Sequence, residues 1–252
     1  MRNIKLTIEY DGSRYDGWQK QAGRTNRLTI QEKIETVLSK MENESIQLVG
    51  AVRTESGVHA YAQTANFKTK SKMKPYEIKH YLNRYLPRDI AVVEAEDVPL
   101  RFHSTFSVES AVYQYKIVMG EVASVFERKY SYYSFRPLDI DAMRQGAKIL
   151  IGKHDLKAFS DNPRMKKSTV REIYNIDIYG DKEEILITIH ADDFWPGLAR
   201  ILVGTLLEIG QGNRRPEDLT TVIASGDRRK AGEAAEPQGL FLQEIRYKQT
   251  EE

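Results

Sequence analysis

The chain has 252 residues, 40% hydrophobic and 29% charged, which fits a folded globular protein of one large or two small domains and excludes a disordered one. Its 38 Lys and Arg against 36 Asp and Glu leave a net charge of +2, which neither demands nor rules out a nucleic-acid partner, because a basic groove can sit inside a nearly neutral total. The absence of Cys excludes disulfides, thiol nucleophiles and Cys-ligated metals, and no apolar run approaches the ~20 residues that span a bilayer.

Met1 leads directly into an alternating pattern, so no signal peptide is expected and a cytoplasmic location follows. Ile4, Leu6, Ile8 and Tyr10 alternate with Lys5, Thr7 and Glu9, which predicts a half-buried strand over 4–10 that Asp11-Gly12-Ser13 breaks. An irregular polar stretch with Trp18 follows. Thr29 and Glu32 form a capping-box pattern before a helix over 30–41, with Ile30, Ile34, Val37, Leu38 and Met41 on one face. Strands are predicted over 47–52 and 63–68. Pro75 opens a helix that runs to Tyr85 and stops at Leu86-Pro87. Strands over 90–96 and 110–118 come next.

In the second half, Asp139-Ile140-Asp141 starts a helix that ends near Gly152. Residues 170–179 and 184–191 read as paired strands around Gly180-Asp181. Helices are expected over 196–209 and 216–225, and a closing strand over 240–247. Interspersed strands and helices with short Gly/Asp links point to an α+β class. The halves 1–107 and 108–252 have similar element content without a Gly/Ser-rich linker, which predicts two subdomains sharing one extended, mostly antiparallel sheet.

The five histidines, His59, His80, His103, His154 and His190, form no i, i+4 pair and no His-x-Glu pattern, so no zinc site is expected. No Gly-x-x-x-x-Gly-Lys run supports a nucleotide cofactor. His154-Asp155 reads as a turn and helix cap, and Asp192-Asp193 as the N-cap of the apolar helix after it. Basic runs are more informative. Arg164, Lys166, Lys167 and Arg171 lie within eight residues, and Arg214-Arg215 and Arg228-Arg229-Lys230 form two further clusters. In a near-neutral chain they imply that the acidic residues are segregated elsewhere, as along a phosphate-binding track. Some of the 14 Tyr are then candidates for stacking on splayed-out RNA bases.

Ordered motifs carry a resemblance over nearly the whole chain. They are Tyr10-Asp11-Gly12-Ser13-Arg14-Tyr15-Asp16-Gly17-Trp18-Gln19, Arg53-Thr54-Glu55-Ser56-Gly57-Val58-His59-Ala60, Leu86-Pro87 with Ile90-Ala91-Val92, Phe102-His103 with Phe106-Ser107, and Tyr113-Gln114-Tyr115. Further on come Gly152-Lys153-His154-Asp155 with Phe159, Ser168-Thr169-Val170-Arg171, Arg200 to Leu207, and Gly239-Leu240 with Leu242 and Tyr247. Together they resemble the TruA-type tRNA pseudouridine synthases. The resemblance implies the pseudouridine synthase fold with a central cleft, a homodimer, and isomerisation of uridine in the anticodon stem-loop of tRNA without metal or organic cofactor. The target base is flipped out, as for other chemistry on a stacked base.

Roles carry over by position. Glu55 occupies the place of the family's nucleophilic Asp. Tyr113 matches the Tyr that stacks on the base, and Arg200 the helix Arg that pairs with the nucleophilic carboxylate. Arg53 matches a phosphate-contacting or loop-ordering Arg, a structural salt bridge being the other reading of it. His59, Tyr15, Trp18, Gln19, Lys166, Lys167 and Arg171 are the remaining expected substrate contacts.

Glu55 departs from the family pattern by one methylene. Val52 replaces a Gly, Ser104-Thr105 replace a basic position, and Pro196-Gly197-Leu198 lacks the family His. Two readings follow: an enzyme with Glu55 as nucleophile, or an impaired paralogue that binds structured RNA without isomerising it.

Overall fold

The computed structural model describes residues 1–20, 28–162 and 164–248. The middle of the irregular stretch after Asp11 therefore lies outside the described residues. The chain divides into two compact units, residues 1–109 with 242–252, and residues 110–241. Ten strands, mostly antiparallel, and five α-helices are described. The α+β class is the one that the interspersed pattern predicts.

In the first unit, β1 (Arg2–Tyr10) lies between β3 (His59–Thr69) and β4 (Ile90–Val98), antiparallel to both. Ile4, Leu6, Ile8 and Tyr10 are buried, as the period-two pattern demands. Two helices complete the unit, α1 (Ile30–Glu42) and α2 (Pro75–Tyr85). The Thr29 side chain accepts from Glu32 N and caps α1, whose Ile30, Ile34, Val37 and Leu38 form the buried stripe.

The strand expected over 47–52 is reduced to β2 (Val49–Gly50), paired with β3. Ala51 N donates to Thr64 O at 2.8 Å, and neighbouring side chains take several of the other backbone groups of this segment. Leu48 N donates to the Glu35 carboxylate at 3.0 Å, and Gln31 Nε2 donates to Leu48 O at 2.8 Å. Gln63 Nε2 donates to Val52 O at 2.9 Å. The backbone polar groups are satisfied without a ladder, which alternation alone does not reveal.

Two buried amides fix the loop after β4. Asn66 Nδ2 donates to Asn3 Oδ1 at 2.9 Å, Asn3 Nδ2 donates to Phe102 O at 2.9 Å, and Ser104 N donates to Asn66 Oδ1 at 2.8 Å. Both amide side chains of this network are satisfied, the condition under which buried polar groups stabilise rather than cost.

In the second unit, β5 (Val108–Met119), β9 (Glu184–Ala191), β8 (Val170–Gly180) and β7 (Gly152–Asp155) are successive antiparallel neighbours. A short β6 (Tyr132–Ser134) runs parallel to β5. His154-Asp155, read as a turn and helix cap, instead ends β7, and the Asp155 carboxylate accepts from Lys157 N at 3.1 Å just after it.

The helices here are α3 (Ile140–Leu150), α4 (Leu198–Gly210) and α5 (Asp218–Ser225). Apart from Arg200 and Glu208, α4 is apolar and almost wholly buried, as a helix apolar on most of its faces must be. It starts two residues later than predicted, because its N-cap is Gly197 with φ +93, outside helical space. The expectation that Asp192-Asp193 caps it is therefore wrong. Asp192 Oδ1 accepts from Glu172 N at 3.1 Å, and Asp193 pairs with Arg171 at 2.9 Å. These carboxylates meet the facing strand before the chain reaches the helix. β10 (Leu240–Tyr247) ends the chain's described secondary structure.

Candidate active site

Glu55 opens a tight turn. Val58 N donates to Glu55 O at 3.2 Å, and Gly57, the third residue of the turn, has φ +80. A positive φ at that position alone marks a type II turn, which favours Gly there. Gly57 is thus a structural requirement, and Glu55 sits half-buried at the turn's first position.

The Tyr10–Gln19 motif supports this turn from beneath. Trp18 N donates to Thr54 O at 3.1 Å, and the Tyr10 hydroxyl is 2.7 Å from Thr54 Oγ1. Gly17, at φ +76, sits so close that a Cβ would lie 2.5 Å from Thr54 O. Trp18 is 1% exposed and stacks on Tyr10 at 6.0 Å between ring centroids. Its carbonyl accepts from Gln31 N at 3.0 Å, which ties the start of α1 to the same platform.

Burial pushes the Tyr10 phenol pKa up, so the ring stays neutral and its hydroxyl remains a hydrogen-bonding partner for Thr54. Tyr10→Phe is expected to cost about 1–3 kcal/mol of stability, since the Thr54 hydroxyl loses its buried partner. Chemical denaturation of the two proteins checks it, through a lower midpoint at an unchanged m-value.

His59 begins β3 and is buried. Gly12 N donates to its Nδ1 at 3.1 Å, which makes Nδ1 an acceptor and places the proton of the neutral ring on Nε2. Asp11 Oδ1 lies 3.3 Å from the same Nδ1 and accepts from Ser13 N at 2.9 Å. An extra residue in β3, between Ala60 and Gln63, breaks the register with β1 directly after Ala60. A bulge beside a functional loop re-aims the strand end that carries it.

The other expected contacts of this unit fall in three environments. Tyr15 is buried, with its hydroxyl donating to Asp89 Oδ1 at 2.6 Å. Burial and the Asp89 carboxylate raise its pKa. Trp18 belongs to the platform, and Gln19 is partly exposed. Arg53 is exposed, and among the described residues it takes part in no ion pair, so the salt-bridge reading of it has no partner.

In the second unit, Tyr113 lies on β5, 5% exposed, edge-to-face with Phe194 at 4.8 Å. Arg200 lies in the first turn of α4. Its Nε donates to Ala235 O at 2.6 Å, and Ala235 N donates back to Arg200 O at 2.9 Å. The loop held this way lies flush on α4, for a Cβ at Gly204 would meet Glu233 O at 1.7 Å. The guanidinium is thus fixed at its Nε end by a backbone carbonyl.

Arg171 is an internal clamp. It is paired with Asp193, donates to Ser168 O and Val170 O at 3.0 and 2.7 Å, and lies 5.1 Å over the Trp195 ring. Lys166 and Lys167 are exposed. The segregation of charge inferred from the basic runs is overturned for two of them. Arg214 pairs with Glu208 at 2.8 Å, Arg215 with Asp218 at 3.3 Å, Arg228 with Asp161 at 2.6 Å and Arg229 with Asp227 at 2.8 Å. Ion pairs neutralise four of the five cations in these clusters, which one-dimensional charge runs cannot show.

Phe106 stands in a motif that assigns it no role of its own. It is 81% exposed and stacked on His103 at 4.2 Å, on a loop whose Thr105 hydroxyl donates to Gly50 O at 2.8 Å. Among the described residues no cluster of His, Cys, Asp and Glu fit to hold a metal ion occurs, and no helix is long and apolar enough to cross a membrane.

The model of one family, tRNA pseudouridine synthase, matches residues 6–107 and 147–248. Glu55 and Arg200 fall inside the matched residues, and Tyr113 in the stretch between them. The chain is 44% identical over 246 residues to the tRNA pseudouridine synthase A 2 of Clostridium tetani (strain Massachusetts / E88), covering 98% of this chain and 99% of that protein. It is 43% identical over 247 residues to the tRNA pseudouridine synthase A of Bacillus sp. (strain KSM-64), covering 98% and 100%. The enzyme of the same name from Caldicellulosiruptor bescii (strain ATCC BAA-1888 / DSM 6725 / KCTC 15123 / Z-1320) is 41% identical over 247 residues, with the same coverage. Matched over most of its length by the family model, and end to end by these relatives, the chain belongs to the tRNA pseudouridine synthase family.

Proposed function

We propose that this protein isomerises uridine to pseudouridine in the anticodon stem-loop of tRNA, with Glu55 as nucleophile. The observation that carries the reading is a carboxylate at the head of a type II turn that the chain's own Tyr10–Gln19 motif braces from below. Such bracing is what a covalent catalyst needs, since misplacement of about 1 Å costs on the order of a hundredfold in rate. The Glu55 carboxylate attacks the sugar of the flipped-out nucleotide and the bond to uracil N1 breaks. The uracil turns and rejoins through C5, releasing the carboxylate. C5 gives up a proton and N1 gains one, so the isomerisation balances without a cofactor.

Tyr113 is the ring that stacks on the base, and Arg200 holds the nucleophilic carboxylate ionised and oriented. The fixed Nε of Arg200 supports this role, because a guanidinium already anchored loses less freedom on engaging a carboxylate. Arg53, Gln19, Lys166 and Lys167, all exposed or partly so, are direct RNA contacts. Tyr15, Trp18, His59 and Arg171 act through the loops that they hold. A binding-only paralogue is the less favoured reading, since relatives at 38–44% identity carry the synthase name.

The deciding experiment incubates the protein with unmodified tRNA and maps pseudouridine for wild type, Glu55→Asp and Glu55→Ala. Product from wild type and none from Glu55→Ala is expected. No product from wild type, with activity appearing in Glu55→Asp, sinks the enzyme reading. The protein is a cytoplasmic homodimer in this proposal. Sedimentation equilibrium is expected to return twice the chain's 29.0 kDa, and a monomer at micromolar concentration refutes the dimer.

A further inference from the structure

The strongest charge imbalance in the chain lies outside the basic runs already described. Between Lys68 and Arg88 there are seven Lys or Arg and a single carboxylate, Glu77, in a protein whose total is only +2. The segment comprises the end of β3, the connection to α2, and α2 itself.

The acidic residues that would neutralise it are committed elsewhere. Glu77 Oε2 accepts from Lys74 N at the start of α2. Asp89 accepts from Tyr15 and lies 3.6 Å from Arg14, while Asp97 and Glu96 pair with Arg2 and Lys5. Among the described residues none of the seven cations forms an ion pair with a carboxylate. This contrasts with Arg214, Arg215, Arg228 and Arg229, each of which has one.

Aromatic rings are interleaved with these cations. Tyr76, His80 and Arg84 recur at i, i+4 and i+8, one exposed stripe of α2 opposite the buried Ile78 and Leu82. Tyr76 and Tyr85 are each 55% exposed, with Lys74 6.0 Å from the first ring centroid and Arg84 5.6 Å from the second. Cations set on exposed rings are the pattern that engages phosphates while offering π-faces to unpaired bases.

The C-terminal end of this track adjoins the platform of the active-site turn. Asp11 N donates to Asp89 O at 3.0 Å, and Tyr15 bonds the Asp89 side chain. From there α2 runs for about 16 Å, at 1.5 Å per residue over its 11 residues. Lys70, Lys72 and Lys74 lie beyond its far end.

We propose that the exposed face of α2, with the lysines that precede it, is a second RNA-binding surface that holds the tRNA backbone and seats unpaired bases on Tyr76 and Tyr85. The proposal rests on tRNA being the substrate, and its test separates the two ideas. Binding of full-length unmodified tRNA is measured by fluorescence anisotropy across a salt series for wild type, for Lys70→Gln/Lys72→Gln/Arg88→Gln, and for Tyr76→Ala/Tyr85→Ala. All five positions are exposed, so the fold is retained, and circular dichroism verifies it.

The triple variant is expected to weaken binding at least tenfold near physiological salt. Its log–log salt slope should flatten by about 2, at about 0.7–0.9 per phosphate contact removed. The tyrosine pair should weaken binding without changing the slope. kcat at saturating tRNA should stay at the wild-type value in both. An unchanged Kd and slope in the triple variant overturns the surface. So does an unchanged slope with an altered sedimentation coefficient, which would make this face a protein interface. Loss of product in wild type, with the salt response intact, removes the isomerase reading and leaves the surface standing.

Discussion

Replacing Glu55 by alanine is expected to reduce pseudouridine formation by about 10⁴-fold or more, while tRNA affinity changes less than threefold. The magnitude follows from the removal of a covalent nucleophile, for which water in the same space is no substitute. Affinity survives because the carboxylate contributes no attraction to a phosphate backbone. Glu55→Gln keeps the shape and loses the charge, and should match the alanine variant.

Glu55→Asp tests geometry instead. It withdraws the carboxylate by about one C–C bond from a turn held at Thr54 O, Thr54 Oγ1 and the Glu55 carbonyl. With the backbone held this way, a loss on the order of a hundredfold is expected. Single-turnover assays with saturating enzyme separate this from slow product release. If aspartate proves faster than glutamate, the turn is built for the shorter side chain, and Glu55 is the impairment rather than the adaptation. If alanine retains the wild-type rate, Glu55 is not the nucleophile.

Gly17→Ala is expected to produce a large loss of stability and rate without touching a reacting group. Two costs combine. The residue is held at φ +76, where a side chain costs about 1–2 kcal/mol. The new Cβ would also lie 2.5 Å from Thr54 O, a backbone atom that moves only with the turn. Overpacking of this kind costs about 1–3 kcal/mol more.

Gly212→Ala supplies the control. Gly212 has φ +73, with nothing within 4 Å of the added Cβ, so only the first cost applies. The difference between the two melting temperatures isolates the close approach, and is expected to be about 5 °C. Gly17→Ala should also lower kcat, because relieving the clash displaces the Thr54–Glu55 peptide, whereas Gly212→Ala should not. Equal Tm losses and equal rates would show that the platform does not press on the turn.

Much of this is legible in the chain itself. The ranges of α2, β9 and β10 match their predictions residue for residue, since Pro75, the Gly180-Asp181 link and the apolar alternation are local signals. The family, too, could be read from ordered motifs, because their spacing survives whatever the tertiary contacts are. The proposal that Glu55 is the nucleophile rests on the same motif order.

Elements and charges whose partners lie far away in sequence were not legible. The strand expected over 47–52 shrank because Glu35, Gln31 and Gln63 satisfy its backbone from other elements. Asp192 and Asp193 turned toward Glu172 and Arg171 rather than the following helix. The basic runs at 214–215 and 228–230 lost their apparent excess to carboxylates such as Asp161, 67 residues from Arg228. The segment at 68–88, more dispersed as a string, kept its excess.

The sequence by itself determined the periodicities, the caps and the family to which the chain belongs, because each depends on residues a few positions apart or on motif order. Only the tertiary structure decided what supports Glu55 and which cations remain available. Hydrogen bonds, close backbone approaches and ion pairs are short-ranged in space and indifferent to separation along the chain. A one-dimensional reading therefore registers the residues that form them without their partners.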